Sequence, residues 1–225
     1  MILNVACETK TRTETKYFKH HPVLEYKISY PQFRSNYFFK STQNINRYYQ
    51  NRADLFESYC RTVLYRMALE SAEEAIKHDF PVMKFEANES FEITYNENCA
   101  LSLYIDRYLF TGGAHGVTER SADTWDLSGG GNQLKLEELF PPNYLVRKHI
   151  VQGVIGQINR QPERDTIYFE DYVQNVPESF RSENFYLTRS GLVIFFQQYD
   201  IAPYASGILT FLFPYQKNGP MPPKC

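Results

Sequence analysis

The sequence has no run of about eighteen apolar residues, so no segment reads as a membrane-spanning helix. It also lacks a charge excess: 24 Lys and Arg stand against 26 Asp and Glu, a formal net charge of −2. That removes the bulk electrostatic case for a nucleic-acid partner, although a mildly acidic chain can still meet a basic protein. Cysteine is scarce. Cys7, Cys60, Cys99 and Cys225 include no Cys-x-x-Cys pair, which argues against a zinc or thioredoxin-type site. A chain of 225 residues needs no disulfide framework to hold its core. Cys60, on an apolar helix side, and Cys99, near a strand turn, therefore read as buried thiols. Cys7 and Cys225 read as tail residues. Missing too are a Gly-x-Ser-x-Gly elbow, a His-Glu-x-x-His or His-Asp-x-x-His pattern and a P-loop. A triad assembled from distant residues stays open, because such triads leave no local spacing. Nothing implies a cofactor or a metal; His20-His21 would point to opposite sides of an extended chain. The start, Met1–Cys7, is short and has no leading basic residues, unlike a secretion signal. Taken literally the chain is a soluble cytoplasmic protein; the alternative is an ectodomain whose signal or anchor was removed.

Aromatic residues are what the chain has in quantity: 18 Tyr and 17 Phe against one Trp. Most serve as strand formers. A Tyr-rich surface also suits recognition, because the ring buries area while the hydroxyl keeps a hydrogen bond.

Read in order, residues 1–19 form a loose arm or an edge strand, and Val23–Tyr30 alternates as a strand until Pro31. Asn44 to about Asp79 is one helical region, capped by Asn44. Its apolar stripe is Ile45, Tyr49, Ala53, Phe56, Cys60, Val63 and Met67, and a bend is expected near Met67–Ser71. Ser90–Asn96 and Ala100–Phe110 make a hairpin, and Val117–Leu127 adds a third strand. Asn143 caps a second helix running to about Arg160, where Gly153 and Gly156 signal close packing. A short helix over Tyr168–Val173 follows. Phe185–Leu187, Leu192–Gln198 and Ile208–Phe213 complete the strands. With no linker and no repeat, the reading is one compact α+β domain over residues 20–215, with 1–19 and 216–225 as tails. Its mostly antiparallel strands join one sheet, with the two main helices packed on one face.

The loop Thr111–Gly116 organises this reading. Three glycines in six residues demand positive φ or close approach between two strands. It is either a wide turn or a small binding loop with bare N–H groups. His115 could form an acid/base or metal site with Asp106, Glu119 and Asp123, or it hydrogen-bonds the loop to itself. The segment Asp200–Gly207 has the composition of a second exposed loop.

Several stretches carry a family resemblance: Asn44-Ile-Asn-Arg-Tyr-Tyr, Phe91–Cys99, Leu101–Tyr108, Thr111–Gly116, Thr124–Leu127 and Tyr199–Gly207. Together they resemble the extracytoplasmic domain of RsiV-type anti-sigma factors, which sense lysozyme. Similar domains stand beside the catalytic domain of PdaC-type peptidoglycan deacetylases, and many stand alone in Gram-positive bacteria. The resemblance covers about residues 20–215, in sequence halves of 20–110 and 111–215. It implies an α+β binding module, not an enzyme, with C-type lysozyme or a cell-wall component as partner. The sigma-binding segment and membrane span of the sensor are missing here, so anti-sigma activity is not expected. Thr111, Gly112, Gly113, His115, Pro203 and Tyr204 are the partner-binding candidates, because exposed Gly, Pro and Tyr suit a protruding edge. A glycan- or peptidoglycan-modifying enzyme, or its accessory domain, is the alternative. A domain that associates with other proteins or with itself is the third.

Overall fold

The computed structural model describes residues 5–161 and 168–225. It is an α+β fold with two mostly antiparallel sheets. Strands β1 (Ala6–Phe18) and β2 (His21–Arg34) precede a long helical stretch: α1 (Phe39–Tyr59), a π turn (Cys60–Leu64) and α2 (Tyr65–Lys77). Then come β3 (Phe85–Glu97), β4 (Ala100–Phe110), β5 (Val117–Asp126) and the short β6 (Asn132–Gln133). Helices α3 (Val146–Ile158) and α4 (Tyr172–Ser179) lead to β7 (Phe185–Thr188), β8 (Gly191–Phe196) and β9 (Leu209–Pro214). The first sheet has the order β1-β2-β3-β4-β5-β6, and β7-β8-β9 form a second. The β2–β3 pair, which the helices separate in sequence, is parallel. The single sheet expected from the sequence is therefore two. Alternation identifies strands but carries no information about which edges meet, and β7, β8 and β9 satisfy one another through their own antiparallel ladders.

The residues group into two compact units, and the division crosses β3, β4 and β5. One unit holds Val5–Phe91 with Ile105–Glu119; the other holds Glu92–Tyr104 with Arg120–Cys225.

In the first unit the helical stretch lays an apolar stripe on β2. The stripe is Ile45, Tyr49, Ala53 and Phe56, then Cys60, Leu64, Ala68 and Ala72. It departs from the expected stripe after Cys60, since Val63 and Met67 are 37% and 40% exposed. The π turn is the reason. At 3.6 residues per turn, a step of four residues leads by about 40°, so a run of fours would rotate off the core. One wider turn at Cys60–Leu64 absorbs that lead and keeps residues four apart on the buried side. The irregularity thus falls at Cys60–Leu64, ahead of the bend expected at Met67–Ser71. The helix also begins five residues before Asn44, with Phe38 at its N-cap and no side-chain cap bond there.

The second unit is built around α3, whose Val146, Ile150, Val154 and Ile158 face Phe185, Ile194 and Phe211. The helix starts after Leu145, and Asn143, with φ 61°, lies in the preceding turn instead of capping it. The later short helix is Tyr172–Ser179, downstream of its expected place. Gly153 packs as expected: an added Cβ would lie 2.3 Å from the Phe213 ring. Gly156 does not, since the nearest atom is the Arg160 guanidinium at 3.6 Å. The β3–β4 hairpin turns at Asn98 and Cys99, both with positive φ, later than the Asn96–Asn98 turn expected.

Cys99 is not a free thiol. It is disulfide-bonded to Cys225, with Cα atoms 5.2 Å apart and a sequence separation of 126. The chain after β9 folds back to make this possible: Met221 N–H donates to Leu139 C=O at 2.8 Å, and Gln216 N–H to Pro220 C=O at 3.0 Å. Cys60 is the buried thiol expected, and burial pushes its pKa up to about 12. No helix among the described residues is long and apolar enough to cross a membrane.

Candidate functional site

In the first unit, β4 and β5 are joined by Thr111–Gly116. Gly112 and Gly113 take φ of 94° and 92° with open space where a Cβ would stand, so a side chain there would be strained but not crowded. Gly116 is fixed by contact: a Cβ would lie 2.3 Å from the Tyr108 ring. Thr111, Gly113 and His115 are exposed. His115 Nδ1 lies 3.1 Å from the Gly116 carbonyl oxygen, so the imidazole engages its own loop. Two of the carboxylates considered with it have other placements. Asp123 accepts from Gln133 Nε2 at 2.7 Å in the other unit, and Glu119 lines a groove described next. Among the described residues no three His, Cys, Asp or Glu side chains gather where they could hold a metal ion.

That groove, of about 680 Å³, runs between α1 and the β4–β5 pair. Tyr48, Asn51, Arg52, Leu55 and Tyr59 supply the helix side, next to the buried stripe; Arg107, Leu109 and Glu119 supply the strand side. Leu55 is 73% exposed there, an apolar side chain with no structural use in the unit's core. The two arginines of the lining converge on Glu89, only 1% exposed. Arg107 donates to one Glu89 oxygen through Nη2 at 2.6 Å and Nε at 3.0 Å. Arg52 Nε stands 3.9 Å from the same oxygen. The Arg107 guanidinium also lies 3.9 Å from the centre of the Phe56 ring. Two cations thus share one buried anion beneath an aromatic wall. The arrangement offers apolar surface and hydrogen-bond donors.

In the second unit, the segment between β8 and β9 carries the other candidates. Its turn is set by Asp200, which accepts from Gln197 N–H at 2.7 Å; burial pushes the Asp200 pKa upward. The Gln197 side chain grips the backbone of Arg120, accepting from its N–H at 3.0 Å and donating to its C=O at 2.6 Å. Ile201 and Ala202 are buried, Pro203 and Tyr204 half-buried, and Tyr204–Ser206 form a 3-10 turn. Tyr199 is 53% exposed with φ 68°, a conformation rare for a bulky residue. Its ring lies 5.8 Å from that of Tyr204. The sequence candidates therefore divide: Thr111, Gly112, Gly113 and His115 share one loop, while Pro203 and Tyr204 belong to the other unit.

Sequence reasoning did not single out Arg52, Glu89, Arg107 or Tyr199. Tyr48, Arg52, Leu55 and Tyr59 did carry a signal, since they repeat at helical spacing beside the buried stripe. Glu89 and Arg107 are distant in sequence and meet only through strand pairing.

Comparison with known proteins bears on both parts of the chain. Residues 18–118 match the family model described as deacetylase PdaC. Residues 137–216 match the DUF3298 model, described as a protein of unknown function. A search of curated proteins finds no match. Among solved structures, a DUF3298 family member from Bacteroides fragilis is similar with a TM-score of 0.66 at 18% identity, over 94% of this chain and 90% of that one. A DUF3298 family protein from Pseudomonas aeruginosa PAO1 is similar with a TM-score of 0.61 at 17% identity, with the same coverage. At such identity these two establish a shared fold.

Proposed function

We propose that this chain is a non-catalytic binding module whose first-choice partner is a C-type lysozyme, with a cell-wall component as the second. The observation that carries the reading is the groove beside Thr111–Gly116. Tyr48, Leu55 and Tyr59 present apolar and aromatic surface to solvent there. Its arginines are engaged with a buried carboxylate in Glu89–Arg107 and Glu89–Arg52 pairs. The RsiV-type resemblance supports a protein partner, and the exposed Tyr199 beside Tyr204 is the kind of rigid aromatic contact that anchors interfaces. Thr111, Gly112, Gly113, His115, Pro203 and Tyr204 remain the contact residues of this proposal.

The test is calorimetric titration of the protein with a C-type lysozyme at low and physiological salt. Submicromolar binding that survives physiological salt, with loss of muramidase activity, is the expected result. Binding that disappears with salt would reduce the interaction to attraction between an acidic and a basic protein and would sink the reading. Tyr204→Ala should then weaken binding by more than about 1 kcal/mol; an unchanged affinity removes Tyr204 from the contact. A second reading, a glycan-modifying activity, is favoured by the match of residues 18–118 to a model described as a deacetylase. Any turnover detected on peptidoglycan fragments should fall in His115→Ala; unchanged turnover would remove His115 from such a site.

A further inference from the structure

Strand β1 lies at the edge of the six-stranded sheet, paired with β2 on one side only. The ladder runs from Ala6 to Phe18, with a register shift between Lys16 and Tyr17. The regular part, Glu8–Lys16, spans about 31 Å at 3.4 Å per residue. Its even-numbered side chains share one face, on which Arg12, Glu14 and Lys16 meet the helices. Arg12 pairs with Asp54 at 2.6 Å and Glu57 at 2.7 Å. Glu14 pairs with Arg61 at 3.0 Å, and Lys16 lies over the Tyr65 ring. The odd-numbered residues Thr9, Thr11, Thr13 and Thr15 are exposed on the other face.

Read outward from Arg12, Glu8–Lys16 is self-complementary: Glu-Thr-Lys-Thr-Arg-Thr-Glu-Thr-Lys. Two copies joined edge to edge by a two-fold axis normal to the sheet must pair residues of the same face, so the paired numbers sum to an even value. With the axis at Arg12, Glu8 meets Lys16, Lys10 meets Glu14, Thr9 meets Thr15 and Thr11 meets Thr13. Every peripheral charge faces its opposite, and each contact occurs twice. Moving the axis by one residue either way sets Glu8 against Glu14 or Lys10 against Lys16. Only Arg12 meets its own kind, and its charge is already answered by Asp54 and Glu57. Along the strand, Lys10 pairs with Glu8 at 2.5 Å and Lys16 with Glu14 at 2.7 Å. A second copy would extend that alternation across the seam. Edge charges normally protect a strand from association because like charges come together; in this register they do not.

We infer that the chain pairs with a second copy of itself through β1, antiparallel and centred on Arg12. The pairing does not depend on the partner proposed above. Sedimentation equilibrium of the full chain should give a doubled mass that falls with dilution and with salt. Glu8→Lys/Glu14→Lys makes the edge uniformly basic, and Lys10→Glu/Lys16→Glu leaves only acidic residues on either side of Arg12. Each should raise the dimer dissociation constant at least about tenfold, and an equimolar mixture of the two should restore the doubled mass. Because Glu14 and Lys16 also touch neighbours within the chain, Thr11→Lys/Thr13→Lys serves as a second probe on the solvent face. It sets lysines opposite one another and should weaken the dimer similarly. A monomer at every concentration overturns the inference. So does a dimer that ignores all three variants, or a mixture that stays monomeric while both variants keep the native far-UV spectrum.

Discussion

Replacing Arg107 by Ala should be among the most damaging single changes in the first unit. Glu89 is 1% exposed, and Arg107 gives it two hydrogen bonds, at 2.6 and 3.0 Å. Removing one partner of a buried ion pair costs about 3–5 kcal/mol, because the remaining charge is left without water or counter-charge. Loss of the guanidinium over Phe56 adds about 0.5–2 kcal/mol. Arg52, 3.9 Å from the same oxygen, can move toward Glu89 and recover part of this. The expected loss is therefore about 3 kcal/mol, at the lower end of that range. The double variant Glu89→Leu/Arg107→Met tests the mechanism. With both charges gone there is no stranded anion, and buried pairs replaced by apolar groups of similar size are often neutral. The double variant should therefore be at least about 2 kcal/mol more stable than Arg107→Ala. Urea unfolding followed by the far-UV helical signal measures both. A single variant that loses under about 1 kcal/mol, or a double variant no better than the single, would show that the pair does not stabilise the unit in the way argued.

Four further expectations concern the second unit. Cys225→Ala, or reduction, should destabilise it by up to about 4–5 kcal/mol, the chain-entropy value for a bond closing a loop this long; a thermal midpoint indifferent to reductant would contradict this. His149 packs among Phe140, Tyr144 and Phe213, with Nδ1 3.0 Å from the Tyr144 hydroxyl. Its buried Nε2 meets no hydrogen-bond partner among the described residues. Burial lowers its pKa, so the folded state holds this proton less tightly than the unfolded one. Its contribution to stability is thus complete above about pH 6.5 and declines as pH falls below that. The thermal midpoint should drop between neutral and mildly acidic pH, and His149→Leu should flatten the slope. Gly153→Ala should cost about 1–3 kcal/mol, because the new methyl would overlap the buried Phe213 ring. Gly156→Ala, with its nearest atom at 3.6 Å, should be neutral or stabilising by up to about 1 kcal/mol, readable by urea denaturation.

The parts of the molecule legible in the sequence are those governed by local periodicity. The stripe from Ile45 to Cys60, the α3 face and the strands from β3 to β5 all follow from apolar spacing, because side-chain direction repeats with the backbone. What escaped depends on non-local geometry. The π turn moved burial from Val63 and Met67 to Leu64 and Ala68, and no spacing rule announces such an insertion. The Cys99–Cys225 bond joins residues with no spacing pattern between them. Glu89 and Arg107 meet across strands, while each alone reads as an ordinary surface charge. At the loops, the glycines correctly signalled an unusual backbone at Thr111–Gly116. The unusual backbone of the second loop falls on Tyr199, a residue type that gives no such warning.

The link between Cys99 and Cys225 also says something about surroundings. A cystine is a chemical record of the medium in which a chain matured: it forms where an oxidant is at hand and survives where thiols are not kept reduced. In a reducing cytosol the same polypeptide would carry two more thiols and a C-terminal segment without its covalent tie. Material made in such a setting would differ covalently from material matured under oxidising conditions. Free-thiol counting on the native and the denatured protein should therefore come before any stability or binding measurement.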